Sequence, residues 1–320
     1  MTRTCRLVRL CAAATVGCLA CVVVAAARPS VLAAAVVAAG QAAPAAASTP
    51  QRIVSLVPAV TEMLFAMGAG PRVVGVSSYD RFPPDVAGLP KVGGLLDPIV
   101  ERMLALRPDL VVVYGTQAEL QQQLARAGIP TFVYTHRDLS DVGTTLHAIG
   151  ARVGAPDAAA RVMTTMTRRL DAVRARVAGR RRPRTLLVIG RERGSLRQLR
   201  ASGGYGFLHD LLELAGAEDV WRDVPRESVE MSTEMALARA PEVIVELHYG
   251  RALTSEEIAR ERTVWQRLPA LPAVRQGRIH LLVGDHFVVP GPRIAEAAEQ
   301  LADAIHPQAA SSSVPPGRGR

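Results

Sequence analysis

Residues 156–178 read PDAAARVMTTMTRRLDAVRARVA, and the fold hangs on how they are read. After Pro156 the stretch contains neither Gly nor Pro, and Val162, Met163, Met166, Leu170, Val173 and Val177 recur mainly at gaps of three and four. That spacing puts them on one stripe of an α-helix, with Arg161, Arg168, Arg169, Arg174 and Arg176 mostly off it. Pro156 and Asp157 suit a helix start, and Gly179 suits a stop. Roughly 22 residues at about 1.5 Å each make a rod of about 33 Å, the span of a small domain. An ordinary surface helix would read the same way. What sets this one apart is that the sequence before it resembles the sequence after it.

Upstream, short β-rich runs alternate with helical ones. Arg52 to Val57, Val73 to Val76, Asp109 to Val113 and Pro130 to Tyr134 read as strands. Thr61 to Gly68, Glu101 to Leu106, Gln117 to Ala127 and Leu139 to Val153 read as helices between them. This alternation predicts a parallel α/β sheet. Downstream the order returns: Arg184 to Gly190 parallels Arg52 to Pro58, and Phe207 to Ala217 parallels Val60 to Ala69. The sharpest match sets Glu101-x-x-Leu104-Ala105-x-x-Pro108-Asp109-Leu110-Val111-Val112 against Glu234-x-x-Leu237-Ala238-x-x-Pro241-Glu242-Val243-Ile244-Val245. The second half continues through Ser255 to Leu268, a strand over Arg278 to Val283 and a last helix over Arg293 to Ile305. Two Rossmann-like α/β lobes with parallel sheets, joined by one long bridging helix, is the economical reading. The lobes then cover 51–154 and 183–307, with the rod at 156–178.

Residues 1–47 carry Arg3, Arg6 and Arg9, an apolar run from Cys11 to Ala27 and a second from Val31 to Ala39. A basic start, an apolar segment and small residues at a cleavage site make a secretory signal, with an uncleaved N-terminal anchor as the alternative. Thr15-Val16-Gly17-Cys18 is a poor lipobox, because lipoprotein signals ordinarily place Leu three before the Cys. All four cysteines, Cys5, Cys11, Cys18 and Cys21, lie in this leader. The remainder has no disulfide, thiolate metal site or Cys nucleophile, and its core must hold it together. The tail from Gln308 to Arg320, rich in Ser, Pro, Gly and Arg, reads as disordered.

The net charge of +9, less the four leader arginines Arg3, Arg6, Arg9 and Arg28, leaves +5 for the rest. Lysine occurs once, at Lys91, and aromatic residues make up 4%. No basic cluster is interleaved with aromatics, so nucleic acid is not the expected partner. The run Arg180-Arg181-Arg182-Pro183-Arg184 reads as a solvated linker. No G-x-S-x-G elbow, H-E-x-x-H or P-loop occurs. A metal site assembled by folding from His136, His209, His248 or His286 is an open alternative, although pocket-rim positions suit them better. A two-lobed exported protein without catalytic motifs points to binding in the cleft between the lobes, at the carboxyl ends of the strands.

From Arg52 to Pro307 the chain resembles the class III periplasmic binding proteins of ABC importers, which carry cobalamin, iron-siderophores or haem. The motifs are Arg52-Ile53-Val54-Ser55-Leu56-Val57-Pro58-x-x-Thr61-Glu62, then Val74-Gly75-Val76-Ser77-Ser78-Tyr79-Asp80, Lys91-Val92-Gly93-Gly94, Leu106-x-Pro108-Asp109-Leu110 and Pro290-Gly291-Pro292-Arg293. The opening and the Ser-Ser-Tyr segment are most similar to the cobalamin-binding branch. The resemblance implies a monomeric, non-enzymatic receptor that needs no cofactor or resident metal and delivers a corrinoid to an ABC permease dimer with its ATPase subunits. It implies that Glu101 and Glu234 dock onto the two permease subunits. It also implies that Tyr79 and the segment Asp285, His286, Phe287, Val288 and Val289 contact the ligand. Tyr79 would lie flat on the macrocycle, and Asp285 would accept hydrogen bonds from peripheral amides.

The chain departs from that branch where it uses tryptophans, since the corresponding positions are Gly93-Gly94, Ser228 and His286. Trp221 and Trp265 read as packing residues. His286 as a haem ligand, and Arg191 and Arg193 as contacts for an anionic siderophore complex, are the alternatives within the family. A cleft enzyme acting on a tetrapyrrole, which turnover of bound ligand would reveal, and a membrane-tethered interaction module that binds no ligand are the alternatives outside it.

Overall fold

The computed structural model describes residues 48–307; the readings over 1–47 and 308–320 lie outside the described residues. The first half runs β1 (Ile53–Ser55), α1 (Pro58–Ala66), β2 (Val73–Val76), α2 (Val100–Ala105), β3 (Leu110–Tyr114), α3 (Ala118–Arg126), β4 (Thr131–Tyr134) and α4 (Ser140–Arg152). Its four strands form one parallel sheet in the order β2-β1-β3-β4. After α5 (Pro156–Val177) come β5 (Arg184–Gly190), β6 (Leu199–Ser202), α6 (Phe207–Leu214), β7 (Glu218–Asp219), β8 (Ser228–Met231) and α7 (Thr233–Arg239). Then follow β9 (Val243–His248), α8 (Ser255–Thr263), α9 (Pro272–Arg275), β10 (Ile279–Val283) and α10 (Ile294–Ile305). These strands form a six-stranded sheet in the order β10-β9-β5-β6-β8, with β7 beside β5.

The central strands β1, β3, β5 and β9 are mostly apolar because both sheet faces are covered. Successive side chains of β3 alternate between two clusters, with Leu110 and Val112 in one and Val111 and Val113 in the other. In the second sheet Val243 and Val245 share a cluster with Leu187, while Ile244, Leu186 and Val188 join another. The inner cluster is common to both sheets. It runs from Ile53, Leu110 and Val112 through α1, α4, α5, α6 and α10 to Leu187, Val243 and Val245.

One expectation needs correction. The second sheet is mixed, not parallel, because β6 lies antiparallel to both β5 and β8. The connection from Gly190 to Leu199 is too short for a parallel crossover, so only an antiparallel partner is reachable. Polar residues in Leu-Arg-Ala-Ser and Ser-Val-Glu-Met left these short strands without a legible apolar run. The stretch from Ser255 to Leu268 forms α8, which ends at Thr263 and tightens into a 3-10 turn over Val264–Arg267. That turn delivers Trp265 into the core, where it is fully buried and its Nε1 donates to Glu246 at 2.8 Å.

The internal repeat holds in atomic detail. Each copy of the Leu-Ala…Pro segment turns through a left-handed non-glycine residue, Arg107 (φ 47°) and Ala240 (φ 45°). The acid after each Pro then holds the start of the neighbouring strand. Asp109 accepts from the backbone N–H of Gln51 and Arg52 at 2.7 and 2.8 Å, and Glu242 from that of Arg184 at 2.9 Å. The side chains of Arg52 and Arg184 return to the carbonyls of Leu106 and Arg239.

The long helix buries Ala159, Met166, Leu170 and Val173, members of or neighbours to the expected stripe. Its first half packs on α4, where a Cβ on Gly150 would stand 2.5 Å from that of Ala159. Its second half is clipped to α10 by Arg169–Glu299 at 2.8 Å and Arg176–Asp303 at 2.7 Å.

Candidate ligand-binding cleft

The strands of the first sheet and the parallel trio β5, β9 and β10 of the second end in loops that carry the candidate residues. Tyr79 follows β2, His136 follows β4, Arg191 follows β5, Tyr249 follows β9 and Asp285 follows β10. The loop after β2 is held rigidly from beneath. Buried Asp80 accepts from the backbone N–H and the hydroxyl of Ser77 at 2.8 and 2.6 Å, and Lys91 donates to the Asp80 carbonyl at 3.2 Å. Burial pushes the Asp80 carboxyl up despite the hydrogen bonds from Ser77. Tyr79 is thereby displayed at 58% exposure. Its ring rests on Gly94, where any Cβ would come within 2.5 Å of it. Gly94 is fixed in turn, since Gln117 Nε2 donates to the carbonyls of Gly94 and Leu95 at 3.2 and 3.0 Å.

The opposite wall comes from the second sheet. Asp285 accepts from the backbone N–H of Gly250 at 2.7 Å, and its other oxygen lies 3.6 Å from Arg81 Nη1. This contact draws together the segments that carry Tyr79 and Tyr249, since Tyr79 is two residues from Arg81 and Tyr249 directly precedes Gly250. Farther along, His136, Tyr205, Phe207, Glu227, Ser228 and Val288 border a cavity of about 240 Å³ that belongs to both halves. His136 stands edge-on to Phe207, with ring centroids 5.7 Å apart, and burial lowers its pKa. A neutral imidazole, one phenol, a phenyl ring, a serine and a valine make this wall largely uncharged, with Glu227 beside them.

Residues 53–284 match the periplasmic binding protein family. The chain belongs to that family. The vitamin B12-binding protein of Salmonella typhimurium is 32% identical over 256 residues, covering 79% of this chain and 90% of that protein. Among solved structures, the periplasmic vitamin B12 binding protein of Vibrio cholerae superposes with a TM-score of 0.68 at 21% identity, covering 80% of this chain and 97% of that one. A periplasmic heme binding protein from Pseudomonas aeruginosa superposes with a TM-score of 0.69 at 27% identity, covering 81% and 94%.

Within this periplasmic binding protein, the expected site residues part company. Tyr79 is exposed, Asp285 keeps 24% of its side chain exposed, and Val288 and Val289 are partly exposed. His286 and Phe287 are not on the surface of the cleft. The 3-10 turn over Asp285–Phe287 folds both inward, to 6% and 0% exposure, and His286 packs on its own Gly284. Burial lowers the His286 pKa. Arg191 is likewise withdrawn, since it is spent on Glu246 and Glu261 at 2.9 Å each with its side chain 2% exposed. Burial pushes the Glu246 carboxyl up, but His248, Arg191 and Trp265 together outweigh it and hold it low. Arg193 stays exposed. Trp221 and Trp265 are buried packing residues, as expected.

His209 pairs with Asp219 at 3.0 Å and His248 with Glu246 at 2.9 Å. Among the described residues no group of three His, Cys, Asp or Glu is placed to hold a metal ion. Sequence reasoning missed Tyr205 and Tyr249, exposed at 43% and 45%. The signal was present for the first, in Gly203-Gly204-Tyr205-Gly206, a glycine-flanked aromatic that packing does not demand.

Glu101 and Glu234 occupy the first turns of α2 and α7, both exposed. Each is followed three residues on by a partly exposed leucine, Leu104 at 39% and Leu237 at 38%. The hydrogen bond from Ser232 holds the Glu234 carboxyl below its ordinary range, so it stays ionised.

Proposed function

We propose that this periplasmic binding protein is the exported receptor of an ABC importer, taking one corrinoid between its two sheets and handing it unchanged to a permease. The observation that carries the reading is Tyr79: a phenol ring seated on Gly94 by a fixed loop, with its other face open at the carboxyl end of a parallel strand. Such a platform suits a large, flat, mostly neutral macrocycle. Asp285 supplies an acceptor for amide side groups, and Tyr205 and Tyr249 add phenols from the other wall. The vitamin B12-binding relatives support the ligand class. In this reading Glu101 and Glu234 form the docking pair, set in equivalent helices of a duplicated fold so that one receptor meets two permease subunits alike. Two exposed carboxylates fix orientation and partner choice more than raw affinity. An extracytoplasmic location follows from the family.

Equilibrium titration of the protein with cyanocobalamin, with haem and a ferric siderophore as controls, tests the reading. Micromolar or tighter binding of cyanocobalamin is expected. Tight binding of either control without cyanocobalamin binding overturns it. The second reading, haem, is favoured by the 27% identical heme binding protein and by three exposed phenols able to ligate ferric iron. A shifted haem absorption band lost in Tyr79→Phe, Tyr205→Phe or Tyr249→Phe would favour it.

A further inference from the structure

Outside the cleft, a charged pair crosses between the two halves. Glu62, on α1 beside the first sheet, is 4% exposed in its side chain and accepts from Arg293 Nε at 3.0 Å and Nη2 at 2.5 Å. Arg293 is the residue immediately before α10, the helix clipped to α5 in the second half. The first half grips the guanidinium a second time, because its Cζ sits 4.0 Å from the centre of the Phe82 ring. A planar fork held by a carboxylate on one edge and an aromatic face permits one orientation only. The backbone beside it is equally close: a Cβ on Gly291 would lie 3.2 Å from Glu62 Oε2 and 3.4 Å from the Ala59 carbonyl.

This contact is connected to the cleft by a short, internally bonded segment. Val288 and Val289 donate backbone N–H groups to the Asp285 carbonyl at 3.0 Å each, Gly291 donates to Val289 at 2.8 Å and Ile294 to Gly291 at 3.1 Å. Asp285 and Val288 therefore move with Arg293. Glu62 and Arg293 themselves line a separate groove of about 720 Å³ beside α5, and neither borders the cavity of Tyr205 and Val288.

We propose that Glu62, Arg293 and Phe82 form a second, non-covalent strut between the halves, which with α5 sets the width of the cleft. Glu62 and Arg293 are then positioning residues for ligand binding. The affinity arm of the test rests on the corrinoid reading; the geometric arm does not.

The test uses the full chain with Cys5, Cys11, Cys18 and Cys21 changed to Ser, the only cysteines it has. Nitroxides are placed through Gln122→Cys on α3 and Ala259→Cys on α8, both exposed helix positions. Glu62→Ala and the milder Arg293→Lys are expected to broaden the inter-label distance distribution and to speed cyanocobalamin dissociation roughly tenfold. The swap Glu62→Arg with Arg293→Glu is expected to restore both towards the parent. Single variants that leave the distances unchanged overturn the strut, whatever they do to affinity. If the parent binds no cyanocobalamin, the ligand reading fails, while the distances still decide the strut.

Discussion

Tyr79 projects because its neighbours do not. Ser77 and Asp80 are turned inward and hydrogen-bonded to each other, and the ring between them lies on Gly94. Tyr79→Ala is expected to leave the fold intact and weaken cyanocobalamin binding by about 1–2 kcal/mol, roughly tenfold, in a calorimetric titration. Gly94→Ala tests the same platform from beneath: its methyl group would collide with the ring and tilt it, so affinity falls while Tyr79 is still present. Asp80 carries a prediction about pH. An acid whose folded pKa is raised stabilises the fold below its unfolded value near 3.8, and that contribution is lost as pH rises through the higher folded value. Asp80→Asn removes this titration and keeps an acceptor for Ser77. Melting temperatures should therefore show the wild type losing ground to Asp80→Asn as pH rises above about 3.8; a constant difference would count against the raised pKa.

At the scale of elements, α5 shows which half of a helix matters. Met166 and Leu170 sit in the core shared by both sheets, so Met166→Ala or Leu170→Ala should cost about 2–5 kcal/mol in denaturant unfolding. The clip from Arg169 to Glu299 lies partly in solvent, at 41% and 37% side-chain exposure. Arg169→Ala should cost less than about 1 kcal/mol. The apolar stripe was legible because a 3.6-residue period survives any packing partner. The arginine clips were not, because nothing in the helix sequence says that α10 will lie alongside. The same asymmetry appears in β6 and β8. Their backbones pair because the loop brings them together, and four-residue strands with exposed polar faces leave little period to read.

For the molecule as a whole, the two halves are joined by one helix, one continuous core and cross-contacts that include those of Glu62, Asp285 and Asp210. Opening the cleft widely would break buried apolar packing as well as bend α5. Ligand-free and ligand-bound crystals should accordingly differ by a small lobe rotation; a wide hinge closure would contradict the shared core. The docking surface makes a separate prediction. Glu101→Arg combined with Glu234→Arg should leave cyanocobalamin affinity nearly unchanged and abolish uptake in a reconstituted transporter. A large loss of affinity in that variant would place these glutamates in ligand binding instead.

The sequence by itself determined the α/β alternation, the duplicated halves, the long helix between them and the equivalence of Glu101 with Glu234. These are local or repeated signals: periodicity, caps and a Pro-containing turn repeated 133 positions apart, from Glu101 to Glu234. The resemblance to the family, not composition or spacing, singled out Tyr79 and Asp285, which stand exposed or partly exposed at strand ends. Which neighbours of Asp285 face the cleft was decided only by tertiary structure. A single 3-10 turn sends His286 and Phe287 into the core and leaves Val288 outside, and no composition rule distinguishes adjacent residues of one loop. Tertiary structure likewise consumed Arg191 in a buried pair and brought Tyr205, Tyr249 and the Glu62–Arg293 contact into place. A side chain's availability depends on what folds against it, and in this chain the partners lie up to 231 residues away.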